Sequence, residues 1–156
     1  MSLSAILVML VAASAAPAPL SVQRMAGALA VTASVAKATY APGEPVVVQI
    51  TIRNVSPDPL SLTFNSGQRF ELTVRRPRGD EVWRWSHDKA FIQVVQTITL
   101  RPQEVRAFPP GIWDQRDFQG RMVDPGPYEV VVHFLGRVGD RGGVALPPLP
   151  ITIIAR

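Results

Sequence analysis

Apolar side chains recur at every second position over most of this chain, a period that suits strands and not helices. Val46, Val48, Ile50 and Ile52 alternate with Val47, Gln49, Thr51 and Arg53, which describes a strand with one buried face. Leu29, Val31, Ala33 and Val35 alternate in the same way, as do Leu60, Leu62 and Phe64, then Phe70, Leu72 and Val74. Tyr128, Val130, Val132 and Phe134 repeat the pattern, and shorter runs stand at residues 81–85, 94–100, 105–108 and 151–154. Turn signals separate them: Pro42-Gly43-Glu44-Pro45, Ser56-Pro57-Asp58-Pro59, residues 77–80, and Arg101-Pro102-Gln103-Glu104. Fifteen prolines and eleven glycines in 156 residues leave no room for a helical bundle, because proline breaks helix interiors. Strands about 8–12 residues apart with turns between them predict one all-β antiparallel sandwich. A non-periodic stretch over residues 111–127 and a glycine-rich connection over residues 136–143 are expected to be loops.

Composition narrows the function classes. With no cysteine, a disulfide framework, a zinc–thiolate or iron–sulfur centre and a cysteine nucleophile are all excluded. Apolar residues make up 47% of the chain and charged residues 18%, so it is neither a disordered tail nor an acidic solvating segment. The net charge of +4 comes from fourteen arginines and two lysines, mostly scattered singly. Nucleic-acid binding needs a contiguous basic stripe, and only Arg75, Arg76 and Arg78 cluster, at what reads as a solvated hairpin tip. No nucleic-acid partner is expected.

Residues 3–16 are small and apolar apart from Ser4 and Ser14, too short to span a bilayer, and they end in Ala13-Ser14-Ala15. The expectation is a signal peptide over residues 1–16, a linker over 17–27 holding Pro17 and Pro19, and a single domain over 28–156. That assignment makes the product exported, periplasmic or extracellular, without a transmembrane segment in the mature chain.

Catalytic constellations are sparse. Ser86-His87-Asp88 contains triad letters, but neighbours on an extended chain point to opposite sides and cannot form a relay. His133 alternates onto the face opposite Val132 and Phe134, as a half-exposed strand residue. The 136–143 glycines lack the Gly-Lys-Ser/Thr ending of a phosphate cradle. Asp114, Asp117 and Asp124 with Gly120 lack the acidic spacing of a calcium loop; their expected role is to accept backbone N–H bonds and fix a loop. Arg78-Gly79-Asp80 spells an adhesion tripeptide but also suits a turn, with glycine free to take positive φ. No cofactor or metal is expected, and the chain is read as not an enzyme. Trp83 and Trp85 fall on one face of a strand by period-two counting, as core or, if exposed, as a flat partner-binding patch.

Two stretches together carry a resemblance. One is Phe64-Asn65-Ser66-Gly67-Gln68-Arg69-Phe70-Glu71-Leu72, followed by Glu81-Val82-Trp83-Arg84-Trp85-Ser86 and Phe91. The other is Trp113, Asp114, Asp117, Gly120, Val123, Pro125, Gly126 and Tyr128. Over roughly residues 46–135 the chain resembles the BsuPI family, the intracellular proteinase inhibitor domain. The resemblance implies an immunoglobulin-like β-sandwich that inhibits a serine protease, with Trp113, Asp114, Asp117, Gly120, Pro125, Gly126 and Tyr128 as structural motif residues. It identifies no inhibitory loop. Inhibition asks for a loop held in an extended shape before binding, so that little ordering entropy is lost. Residues 86–93, with Lys89 and Phe91, and residues 108–113, stiffened by Pro109 and Pro110, are favoured over the flexible 136–143 loop. With Trp83 and Trp85 these are the candidate partner-binding residues. The family name places its activity inside the cell, so an exported chain would restrain an envelope or secreted protease instead. The alternative is a secreted or envelope interaction module without inhibitory activity.

Overall fold

The computed structural model describes residues 16–156, and over that span it is all-β with several antiparallel sheets. Thirteen strands follow in order: β1 (Leu20–Ala26), β2 (Leu29–Val35), β3 (Thr39–Tyr40), β4 (Val46–Asn54), β5 (Leu60–Phe64), β6 (Phe70–Arg75) and β7 (Glu81–Arg84). A single 3-10 turn (Trp85–Asp88) comes next, then β8 (Gln96–Leu100), β9 (Val105–Ala107), β10 (Gly111–Trp113), β11 (Gly126–Phe134), β12 (Val144–Ala145) and β13 (Leu149–Ile153). The signal-peptide expectation falls on residues 1–16 and so lies, Ala16 apart, outside the described residues.

One sheet runs β1-β2-β4, with β9 and β10 end to end along the far edge of β4. A second runs β3-β13-β11-β6-β7, with β12 beside the end of β11, and every pair but β3–β13 is antiparallel. A third is the β5–β8 ribbon, tied to the chain after β11 by paired bonds between Thr63 and Arg137, at 2.9 and 3.0 Å. Period-two alternation places Val46, Val48, Ile50 and Ile52 inside, together with Leu72, Val74, Val130, Val132, Ile151 and Ile153. These inward faces form one buried cluster with Phe64, Phe134, Trp113 and Tyr128. Burial of this apolar area, at about 25 cal/mol per Å², is the main force holding the sheets together.

Four features depart from the sequence expectation. The 17–27 linker contains β1, which pairs with β2 over seven residues. An edge strand needs no continuous buried face, because the ladder to its neighbour satisfies its backbone, so periodicity under-reports it. The non-periodic 111–127 stretch begins with β10, too short to establish a period. At the 77–80 hairpin Arg78, not Gly79, takes the positive φ, of 56°. Gly79 serves close approach instead, since a Cβ there would lie 2.9 Å from Arg76 Cβ. Finally, β7 ends at Arg84, so Trp85 lies in the 3-10 turn and not on the strand, half-buried against the core that encloses Trp83.

Candidate functional site

The short 3-10 turn after β7 is tied down from both sides. The Ser86 N–H donates to Glu71 Oε1 at 3.2 Å and the Ser86 hydroxyl donates to Glu71 Oε2, which fastens the turn to β6. His87 bonds through Nδ1 to the Arg84 carbonyl at 2.8 Å, and its ring meets Phe118 edge-on. Ser86, His87 and Asp88 thus occupy a turn, not an extended chain. The absence of a relay there has a different cause from the one expected: the hydroxyl and the imidazole are each bonded to something else.

Trp85 is half-buried between two aromatic rings, Phe70 at 4.6 Å and Phe91 at 5.7 Å between centroids. Lys89 folds back over it: Nζ lies 4.7 Å from the indole and donates to the Trp85 carbonyl at 3.0 Å and to Asp88 Oδ1 at 3.1 Å. Pro109 and Pro110 follow β9 and approach from the other side. Phe70, Trp85, Phe91, Phe108, Pro109 and Pro110 line an apolar cleft of about 200 Å³, with Gly67 and Arg69 at its border. Trp85, Phe91, Pro109 and Pro110, distant in sequence, therefore converge. Lys89 lies beside the cleft, bound to Trp85. Trp83 does not join them; it is 7% exposed and stacks 6.4 Å from Trp113 in the core.

Beyond the turn, residues 89–95 run in neither helix nor ladder, with Ile92, Val94 and Val95 exposed. The Gly67 N–H donates to the Ile92 carbonyl at 2.8 Å, and a Cβ at Gly67 would lie 2.9 Å from Ile92 Cγ2, so a larger residue there would force the Ile92 side chain to move. At the other end, Gln96 pairs with Phe64 and accepts a bond from Arg69 Nη2. Burial lowers the pKa of Arg69, whose guanidinium lies 4.3 Å from the Phe64 ring. Gly67, Arg69, Phe70 and the exposed valines were not partner-binding candidates from sequence, whereas Phe108 opens the 108–113 loop that was. Val94 and Val95 read as the start of a strand, although two adjacent valines already break strict alternation.

The motif residues between β10 and β11 build one loop. Trp113 is buried and its indole N–H donates to the Arg116 carbonyl at 2.9 Å. Asp117 Oδ1 accepts the Arg121 and Gln119 N–H groups, both at 2.9 Å, and the Arg121 bond leads in holding its carboxyl below the usual range. Gly120 closes that turn at φ 76°, and Asp114 sits outside, 3.5 Å from Arg116. Pro125 precedes Gly126, at φ 132°, where β11 starts. The Tyr128 hydroxyl donates to the Asp124 carbonyl at 2.6 Å, and burial raises its pKa while Arg76 lies 4.2 Å over the ring. This loop covers the outer edge of β7 through the Phe118 N–H to Val82 carbonyl bond at 3.1 Å.

The antiparallel β body thus carries an exposed apolar stretch, Ile92, Val94 and Val95, next to the cleft formed by Trp85, Phe91, Pro109 and Pro110. The family model for BsuPI, intracellular proteinase inhibitor, matches residues 33–138, and the chain belongs to that family. No curated protein matches the chain. Among solved structures it is similar to the sporulation control protein Spo0M from Bacillus subtilis, at 18% identity and TM-score 0.47, over 84% of this chain and 51% of that one. Similarity extends to a β-glucosidase from Listeria innocua, at 15% identity and TM-score 0.45, over 80% of this chain and 16% of that one. The alkylpurine DNA glycosylase AlkC from Pseudomonas fluorescens, bound to DNA, matches at 18% identity and TM-score 0.44, over 78% of this chain and 28% of that one. The chain spans about half of Spo0M and less of the two enzymes.

The family is described as intracellular, which overturns the expectation of a periplasmic or extracellular protein drawn from the apolar N-terminal run. A short apolar stretch ending in small residues is a pattern of composition, and composition does not by itself dictate export. Among the described residues, no helix is long and apolar enough to cross a membrane.

Proposed function

We propose that this chain is a non-enzymatic inhibitor of a serine proteinase, that its sheets pack as an immunoglobulin-like sandwich, and that residues 89–95 form the inhibitory segment. The domain that carries the segment is taken as residues 20–156, β1 included. One observation carries the assignment: the segment is pinned at Ile92 by Gly67 and at Gln96 by Phe64 and Arg69, while Val94 and Val95 between the pins stay exposed. Such a segment loses little conformational entropy when a proteinase grips it, and that loss otherwise offsets much of the gain from contacts. The neighbouring Trp85–Phe91–Pro109–Pro110 cleft offers apolar area for the rim of the partner. The non-enzymatic part is supported by Ser86 and His87, whose polar atoms bond to Glu71 and to the Arg84 carbonyl and not to each other.

The test is incubation of the purified chain with a panel of serine proteinases, following residual activity. Stoichiometric loss of activity for at least one proteinase is expected, weakened about tenfold or more by Trp85→Ala if the cleft supplies one of the few contacts that dominate an interface. Undiminished proteolysis at large molar excess across the panel rejects the proposal.

A further inference from the structure

The chemistry of the pinned segment carries information about the partner's specificity pocket. We infer that the target proteinase has a small aliphatic primary pocket, of the kind that accepts alanine or valine, and that Val95 is the side chain it takes. This rests on the inhibitor assignment above.

Three observations narrow the choice. The one cation of the segment, Lys89, is committed: its ammonium donates to the Trp85 carbonyl and to Asp88 and lies over the indole. Drawing it into an acidic pocket would break all three contacts, so a proteinase specific for cationic residues is disfavoured. Ile92 is exposed, but its carbonyl accepts the Gly67 N–H, and that carbonyl would have to be released to meet the oxyanion-binding donors of a serine proteinase. What remains between the pins is Gln93, Val94 and Val95. Gln96, next along the chain, turns its side chain to Arg69. On extended backbone the preceding residue points the opposite way, outward. Val95 is accordingly 65% exposed, the highest value among the exposed large apolar side chains, against 48% for Val94. Two successive β-branched residues also favour extended backbone, the shape in which proteinases bind a chain.

The experiment compares the unaltered chain with Val95→Lys, Val94→Lys and Val95→Thr against elastase and trypsin, with unfolding midpoints measured in parallel. Val95 is exposed, so none of these substitutions should shift the midpoint. The expected result is inhibition of elastase by the unaltered chain and little of trypsin. Val95→Lys should weaken elastase inhibition by about 100-fold, the scale of a residue that dominates an interface, and create trypsin inhibition. Val94→Lys should do less, and Val95→Thr, which keeps shape and branching, should retain most of the effect. If the unaltered chain inhibits trypsin better than elastase, or if Val95→Lys leaves elastase inhibition within about twofold, the pocket assignment is overturned while the inhibitor assignment stands. Failure to inhibit any proteinase of the wider panel removes both.

Discussion

Gln115 shows how much one side chain organises. It is fully buried at φ 64°, and its amide makes three bonds to a distant turn: Oε1 accepts the Gly43 N–H at 2.9 Å, while Nε2 donates to the Ala41 and Glu44 carbonyls, each at 2.8 Å. The turn before β4 is thereby fixed to the loop after β10. Asn54 plays a matching part at the other end of β4: Nδ2 donates to the Asp58 carbonyl at 2.7 Å and Oδ1 accepts from Ser56. Removing such a group strands buried donors and acceptors, which costs more than the bond itself contributes. Gln115→Ala should therefore lower unfolding stability by about 2–4 kcal/mol, measured by denaturant titration, whereas Gln119→Ala on the exposed side of the same loop should change it little. Gln115 was not legible in the sequence, because a polar residue in a loop reads as solvated and only the partners that surround it in space say otherwise. Asn54 continues the inward phase of Ile50 and Ile52 at the end of β4, but the partners that satisfy its amide come from the turns that follow in space.

At the scale of elements, the 89–95 segment is held at Ile92 by a neighbour that contributes no side chain. Gly67 lies between β5 and β6 and lets residues 91–92 approach closely enough for the 2.8 Å bond to the Ile92 carbonyl. Gly67→Val should push that contact apart and loosen the segment without touching the core. The expected outcome is inhibition weakened by about tenfold or more through added ordering entropy, with an unfolding midpoint close to that of the unaltered chain. Hydrogen exchange at residues 92–96 would report the loosening directly. Strong alternation made β2, β4, β5, β6 and β11 legible from sequence, because each buries one face and exposes the other. The short elements β3, β10 and β12 were not, since two or three residues cannot display a period. The 3-10 turn was missed for a related reason: nothing local stops a strand at Arg84, and it is Glu71, from β6, that captures Ser86 and bends the chain.

For the molecule as a whole, titration tests the packing. Both tyrosines, Tyr40 and Tyr128, are buried, and burial raises each pKa above the ordinary value because the phenolate would lose its hydration. A raised folded pKa means that the associated stability is fully present below about pH 10 and is lost as pH climbs through the raised values. Tyrosinate absorbance in the folded protein should therefore appear at higher pH than in the denaturant-unfolded chain, and the unfolding midpoint should fall across that interval. Coincident titration of the folded and unfolded chains would contradict the burial of these rings. On the acid side, Glu44 is lowered chiefly by its bond to Lys37, and Asp117 by the Arg121 N–H. Their contribution is present above the ordinary carboxylate values and disappears as pH falls through the lowered ones. The sequence alone determined that the chain is all-β, which residues of the long strands face inward, and that the BsuPI motifs are present, because alternation and motif spacing are local properties of a chain. Tertiary structure alone decided that Trp85, Phe91, Pro109 and Pro110 meet, that Trp83 goes to the core, and that Val94 and Val95 stand exposed between two pins. Those outcomes depend on contacts between residues far apart in sequence, whose energies no local pattern records.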